Sequence, residues 1–331
     1  MPTFTVFKGS KDGAIVKSST TKSDDLEGDQ VLVKITASGL CYTDLHYKTQ
    51  DMVLGHEGIG RVEAIGPKVK ELTVGDRVGW GYEHDCCGGC KHCLTGWETF
   101  CPDRAMYAEA DLDQGSFASQ AVWKETFLFK IPDSLSDVDA APLQCAGSTV
   151  FNALQGVGSS DVVAVMGVGG LGHLALQFAA KLGCRVVAIS GSDSKRDEAM
   201  KLGAHEFIAT KNAKELKVEK KITRLIVTTS AQPDWEKLLP ILDRQAGIYP
   251  LSVDPGKFEL PYMPLLVNGI KVQGGIVGTR AVHRNMLDFA GQHDIKPVTE
   301  TFPLNEKGIK EAMSKLEAGE VRYRAVLLNK E

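Results

Sequence analysis

The chain has 331 residues, enough for two domains with a core in each. Its 43% hydrophobic and 24% charged residues are ordinary for a globular protein, and a net charge of −4 offers no basic excess to hold a polyanion, so no nucleic-acid partner is expected. The opening MPTFTVFKGSKDG lacks the apolar core of a secretory signal, and no stretch approaches the ~20 apolar residues of a membrane span, so a cytoplasmic protein without membrane contact is expected.

Residues 1 to about 146 read as β-rich. Strand-like runs stand at 31–37 (VLVKITA), 58–66 (GIGRVEAIG) and after the turn at 75–79, with glycines that mark bulges and tight corners. The texture then changes. A buried-strand run, VVAVM at 162–166, leads into a glycine cluster and helical spacing over 171–182. A strand at 185–189, a helix over 195–202 and a strand at 207–209 follow, and later strands are expected at 224–228, 247–251 and 271–274. Alternation of strands with helices of this length predicts a parallel sheet. Helices at 282–292 and 306–318 and a closing strand at 325–328 return to the first unit.

Five of the eight cysteines fall within residues 86–101, CCGGCKHCLTGWETFC. Where thiols stay reduced, such clusters mean metal or catalysis more often than disulfides. Cys87, Cys90, Cys93 and Cys101 have the spacing C-x2-C-x2-C-x7-C, and four thiolates this close can surround one tetrahedral zinc. Four sulfurs fill its coordination, so the metal would be a structural clip closed to substrate. Cys86 is left over as a competing ligand, and His92 reads as a solvated side chain.

A second donor set is scattered: Cys41 in GLCYTDLH, His56 and Glu57 in GHEGIG, and Cys145 in CAGST. Two cysteines and one histidine leave a tetrahedral metal one open position, as a catalytic zinc requires. GVGGLG over 167–172 places Gly167, Gly169, Gly170, Leu171 and Gly172 directly after a strand and before a helix, the setting in which a glycine loop brings a helix N-terminus to a pyrophosphate. The next strand ends at Ser190, where a site for NAD would carry an acid; Ser190, Ser192, Lys195 and Arg196 suit the 2′-phosphate of NADP(H), and Asp193 reads as a helix cap.

The run G-H-E-x2-G-x5-G-x2-V from Gly55 to Val69, the spacing of the four-cysteine lobe and the order of all these motifs resemble the zinc-containing alcohol dehydrogenases of the medium-chain dehydrogenase/reductase superfamily, closest to cinnamyl-alcohol-dehydrogenase-like and microbial members. The resemblance spans essentially the whole chain. It implies an α/β two-domain fold: a GroES-like β-rich catalytic domain (1–146 and 281–331) and a doubly wound Rossmann domain (147–280) that binds NADP(H) in preference to NAD(H). It implies two zinc ions per subunit, the catalytic one held by Cys41, His56 and Cys145, with Glu57 close by and Asp44 orienting His56. Thr43 would hydrogen-bond the substrate oxygen and His46 would pass its proton to solvent. Thr149 and Leu171 would contact the nicotinamide, and Arg324, with Arg322 nearly as good, the pyrophosphate.

The activity implied is interconversion of primary alcohols and aldehydes, aromatic or medium-chain, by a homodimer or homotetramer that pairs through apolar strand material in 262–278. Trp80 and Tyr82 would line an apolar pocket or belong to the core, with equal standing. The interval from Cys41 to His56 is several residues shorter than the family usually has, so either the loop that shapes the substrate site is truncated or residues are missing from the sequence. The alternatives are a polyol or sugar dehydrogenase, against which the four-cysteine lobe argues, and a non-catalytic NADPH- and zinc-binding relative, which would need neither Thr43 nor His46.

Overall fold

In the computed structural model, residues 3–23, 25–254 and 256–329 are described. The chain divides into two compact units, Met1–Ser148 with Thr279–Glu331, and Thr149–Gly278.

The first unit is organised by the long strand Gln30–Leu40. Its residues alternate between half-buried and buried as far as Ala37 and are buried from there to Leu40, so the strand has one packed face and then dives into the core just before Cys41. It pairs antiparallel with Gly58–Ile65, Gln120–Lys124 and Arg324–Leu328 in a seven-stranded sheet completed by Thr299–Pro303, Arg77–Trp80 and Phe129–Lys130. Two small pairs, Thr3–Lys8 with Val16–Thr21 and Glu83–Asp85 with Ala105–Met106, stand outside that sheet. Phe4, Val33, Ile35, Trp80, Phe117 and Leu327 are among the residues of this unit's core.

Three helices of this unit have side-chain caps among the described residues: Ser136 accepts from the Asp139 N–H at 3.1 Å, Thr279 from the Val282 N–H at 3.5 Å and Asn305 from the Gly308 N–H at 2.9 Å. The first of them, Asp137–Pro142, ends at a proline, which cannot supply a helical N–H and crowds the preceding turn. The chain continues as a wider π-turn over Leu143–Gly147, with Cys145 at its middle.

The second unit holds a six-stranded parallel sheet in the order Glu206–Ala209, Arg185–Ser190, Val162–Met166, Ile222–Val227, Leu242–Pro250, Lys271–Val272. Chain order reverses beside Val162–Met166, the doubly wound arrangement whose ligands bind beyond the strand ends at the reversal. Val162–Val165 are buried, as expected of a strand covered on both faces. The expected two-domain α/β organisation, a β-rich unit and a doubly wound parallel sheet, is therefore present.

The expected elements are found with shifted ends. Only Arg196–Lys201 of the expected 195–202 helix is α-helical, preceded by a 3-10 turn, Asp193–Lys195. The expected strand material of 262–278 is mostly not strand: Tyr262–Asn268 is a helix, and only Lys271–Val272 joins the sheet. A short apolar run has no periodicity that separates the two.

Candidate active site

The scattered donors converge. Single ligand atoms of Cys41, His56, Glu57 and Cys145 lie within 4.8 Å of one another. Cys41 follows the end of the Gln30–Leu40 strand and caps the short helix Tyr42–Tyr47. Asp44, three residues on, turns its carboxylate back so that Oδ2 accepts from the Cys41 N–H at 2.8 Å. The other oxygen faces His56 Nδ1 at 3.1 Å, and both side chains are wholly buried. A carboxylate there fixes the proton on Nδ1 and leaves the Nε2 lone pair outward. His56 Nε2 is buried and has no hydrogen-bond partner among the described residues. A buried imidazole nitrogen left open among two sulfurs is a donor set that fits a zinc ion. Burial opposes a charge on His56, but Asp44 and Cys41 together more than offset it and make the ring a stronger base. The Cys145 thiol beside it, against the cost of burial, pulls Cys41 well below the ordinary thiol range, and the same contact together with burial pushes Cys145 up.

Thr43 Oγ1 lies 3.5 Å from Cys41 Sγ. His46 is exposed, edge-on to Tyr42 at 5.3 Å. The two are three residues apart, so one face of the helix carries both. The segment from His46 to His56 is compact: Ser10 N–H bonds Lys48 O at 3.0 Å and Gly9 N–H bonds Met52 O at 3.0 Å.

Two contacts at the site carry no sequence signal. Arg324 is 4% exposed, and its Nη2 donates to both oxygens of Glu57, 2.6 Å to Oε2. Arg324, expected at the pyrophosphate, thus has one guanidinium nitrogen engaged by a buried carboxylate, while its Nε has no partner among the described residues. Burial, only partly opposed by Arg324, pushes the Glu57 carboxyl up to about 7. Tyr107 is 1% exposed; its hydroxyl accepts from the Gly55 N–H at 3.0 Å and donates to Asp44 Oδ1 at 2.8 Å.

The two pocket residues part company. Trp80 is 1% exposed, belongs to the core and packs near Trp123 at 6.0 Å, which corrects its assignment to a substrate pocket. Tyr82 stands edge-on to His56 at 5.3 Å, beside the donor cluster.

In the lobe, the sulfurs of Cys87, Cys90, Cys93 and Cys101 form a second group, with separations of 3.5, 3.6 and 4.0 Å between pairs. Disulfide sulfurs would be about 2.0 Å apart. Four sulfurs about 2.3 Å from a central zinc would lie about 3.8 Å from one another, so the spacing fits the metal. Backbone N–H groups of Gly89 and Cys90 draw Cys87 down to about 7. Cys86 is outside the group, 3.7 Å from Arg280 Nη2, and His92 is exposed.

In the second unit the glycine loop is built for a nucleotide. Gly167 has φ of 97°, where a side chain is strained, and a Cβ on Gly172 would stand 1.8 Å from Gly167 O. Gly169 has open space where its Cβ would be, so backbone is presented bare. Gly170 and Leu171 lead into the helix Gly172–Lys181, and half-buried Thr149 lies in Ser148–Ala153. Half-buried Ser190 ends its strand, and Ser192 bonds Ser194 at 2.9 Å. Lys195 Nζ donates to Val168 O of the loop at 2.6 Å. Asp193 does not cap the helix as expected; it pairs with Arg196 at 2.6 Å, and Arg196 lies over the Phe207 ring at 4.7 Å.

A two-domain chain with an open Cys–His–Cys cluster in a β-rich unit and a glycine loop in a doubly wound one is a zinc- and nicotinamide-dependent oxidoreductase. Residues 27–133 match the alcohol dehydrogenase GroES-like domain and residues 170–292 the zinc-binding dehydrogenase family. An alcohol dehydrogenase of Geobacillus stearothermophilus is 36% identical over 92% of this chain and 93% of its own. A cinnamyl alcohol dehydrogenase structure from Sorghum bicolor superposes with a TM-score of 0.90 at 32% identity, covering 99% of each chain. One from Helicobacter pylori, complexed with NADP(H), gives 0.88 at 25% identity, covering 98% of this chain and 97% of its own. The chain belongs to the zinc-containing alcohol dehydrogenases of the medium-chain dehydrogenase/reductase superfamily, and it is an enzyme acting on small alcohols or aldehydes.

Proposed function

We propose that this enzyme interconverts aromatic or medium-chain aldehydes and primary alcohols with NADP(H). The observation that carries the reading is His56, its Nδ1 held by Asp44 and its Nε2 left open beside the sulfurs of Cys41 and Cys145. Cys41, His56 and Cys145 would hold the catalytic zinc, and Cys87, Cys90, Cys93 and Cys101 a second, structural one. Bound zinc polarises the substrate's carbon–oxygen bond as a Lewis acid, and bound nicotinamide gives or takes the hydride.

The chain's own residues do the rest. Thr43, beside Cys41 Sγ, hydrogen-bonds the substrate hydroxyl and takes or returns its proton. His46 is exposed and exchanges that proton with water. Asp44 keeps the His56 ring oriented, and Tyr82 forms an apolar wall beside it. Glu57, kept close by Arg324, is a carboxylate in reach of the donor cluster.

Ser190 at the strand end supports NADP(H), because no carboxylate there opposes a 2′-phosphate. The NADP(H) complex of the Helicobacter enzyme supports the same choice, and the cinnamyl alcohol dehydrogenase relatives support an aromatic substrate. A homodimer or homotetramer is supported by Tyr262, Met263, Leu266 and Val267, which are 73%, 59%, 62% and 65% exposed on one helix. A cytoplasmic location fits eight free cysteines; among the described residues no helix is long and apolar enough to cross a membrane.

The test follows nicotinamide absorbance with NADPH or NADH and a panel including cinnamaldehyde and benzaldehyde, with and without a zinc chelator. Chelator-sensitive oxidation of NADPH, with little of NADH, is expected. Activity that survives in His56→Ala, or equal use of both nucleotides, would overturn the ligand assignment or the cofactor preference respectively.

A further inference from the structure

We infer that Tyr107 is a positioning residue for the catalytic metal, acting through Asp44; the inference rests on the ligand reading above. Its single hydroxyl makes two bonds that converge on His56 from different sides. It accepts from the N–H of Gly55, the residue immediately before His56, at 3.0 Å. It donates at 2.8 Å to Asp44 Oδ1, the same oxygen that faces His56 Nδ1 at 3.1 Å. The hydroxyl thus ties down both the backbone that delivers the imidazole and the carboxylate that sets its rotation.

The phenol is well placed to hold that position. Its own N–H bonds Tyr82 O at 2.8 Å, at the end of the short strand pair Glu83–Asp85 with Ala105–Met106. Its ring lies 4.6 Å from the His56 ring and edge-on to Tyr47 and Tyr82 at 5.8 and 5.7 Å. Asp44 is fully buried, and among the described residues its carboxylate is oriented by the Cys41 N–H, His56 and Tyr107. Removing the hydroxyl leaves Oδ1 to His56 alone and leaves the Gly55 N–H without its acceptor. The imidazole then gains freedom to rotate about the direction in which Nε2 must point. Partners one step removed from a metal typically change its affinity by about 10- to 100-fold.

The test is Tyr107→Phe, which keeps the ring and deletes the oxygen. Zinc transfer from the loaded enzyme to a chromogenic chelator is timed, and visible spectra are taken after cobalt replaces zinc. The zinc fraction that disappears in His56→Ala should leave about tenfold faster in Tyr107→Phe, with altered cobalt bands and unchanged NADPH binding. A merely structural tyrosine would lower the melting temperature without moving either readout.

Asp44→Asn separates the two further. If the hydroxyl acts through Asp44, adding Tyr107→Phe to Asp44→Asn changes zinc release little beyond the single variant. Parental release and spectra in Tyr107→Phe, or full additivity with Asp44→Asn, would overturn the role of Tyr107. A parent enzyme whose zinc content is unaffected by His56→Ala would instead overturn the ligand reading itself, and the inference with it.

Discussion

Arg324 and Glu57 form an ion pair almost wholly removed from water, the guanidinium 5% and the carboxylate 0% exposed. The two partners are not equally tolerant of being left alone. Burial already holds the Glu57 carboxyl up at about 7, so without its partner it takes a proton near neutral pH and becomes uncharged. Arg324 has no such escape: burial opposes its charge, but a guanidinium holds its proton too tightly to release it near neutral pH. Stranding a buried charge costs about 3–5 kcal/mol. Glu57→Gln should therefore lower the denaturation midpoint more than Arg324→Met does. Equal losses in urea titrations at pH 7 would show that the pair is not asymmetric in this way.

On the proposed NADP(H) reading, cofactor preference should reverse at Ser190. An aspartate at the end of the Arg185–Ser190 strand would accept from the ribose hydroxyls of NADH and repel a 2′-phosphate. A like-charge clash of several kcal/mol corresponds to about a hundredfold loss in kcat/KM with NADPH. Ser190→Asp is expected to show that loss together with a gain for NADH. Unchanged preference would move the discrimination to Lys195 and Arg196.

Removing one sulfur from the lobe should cost stability and leave the chemistry in place. Cys93→Ser is expected to lose one equivalent of zinc and to melt at lower temperature, while kcat measured well below the melting point stays near the parent value. The check is zinc content beside calorimetry. A selective collapse of kcat with an unchanged melting curve would mean that the lobe is not structural.

Glu83 makes stability fall with rising pH. It is 6% exposed, its Oε1 has no partner among the described residues, and burial, with Glu98 nearby, pushes its carboxyl up to about 8. In the unfolded chain it ionises at about 4.3. Because the folded value is the higher one, its contribution is complete below the unfolded value and is lost as pH rises through the folded one. The slope is at most about 1.4 kcal/mol per pH unit across that window. Melting temperatures recorded from pH 5 to 9 should fall more gently in Glu83→Gln than in the parent. Parallel curves would rule Glu83 out as the cause.

The parts of this molecule visible in its sequence are those whose chemistry demands a spacing. Four thiols around one ion must be close in the chain or expensively gathered, and a loop that admits a pyrophosphate must place glycine at fixed offsets, so both announce themselves. Arg324 against Glu57 and Tyr107 against Asp44 have no such spacing; each pair is made by sheet pairing and packing between distant segments. Trp80 and Tyr82 show the same limit at short range. Two residues apart, they would share a face of a continuous strand, but the strand stops at Trp80 and the next starts at Glu83. That break sends one ring into the core and sets the other beside His56.

The two sulfur-bearing groups also differ in what gathers them. Cys87 to Cys101 lie in one short run, so the chain can offer all four thiols to a metal through one local loop, without bringing distant segments together. Cys41, His56 and Cys145 come together only when the Gln30–Leu40 and Gly58–Ile65 strands have paired and the turn Leu143–Gly147 has been made and packed. On the two-zinc reading, the lobe's position thus depends on one short loop, whereas the reactive position depends on the assembled unit. On that reading, damage to the sheet or to the Leu143–Gly147 turn would disperse the reactive donors while leaving the four lobe thiols gathered.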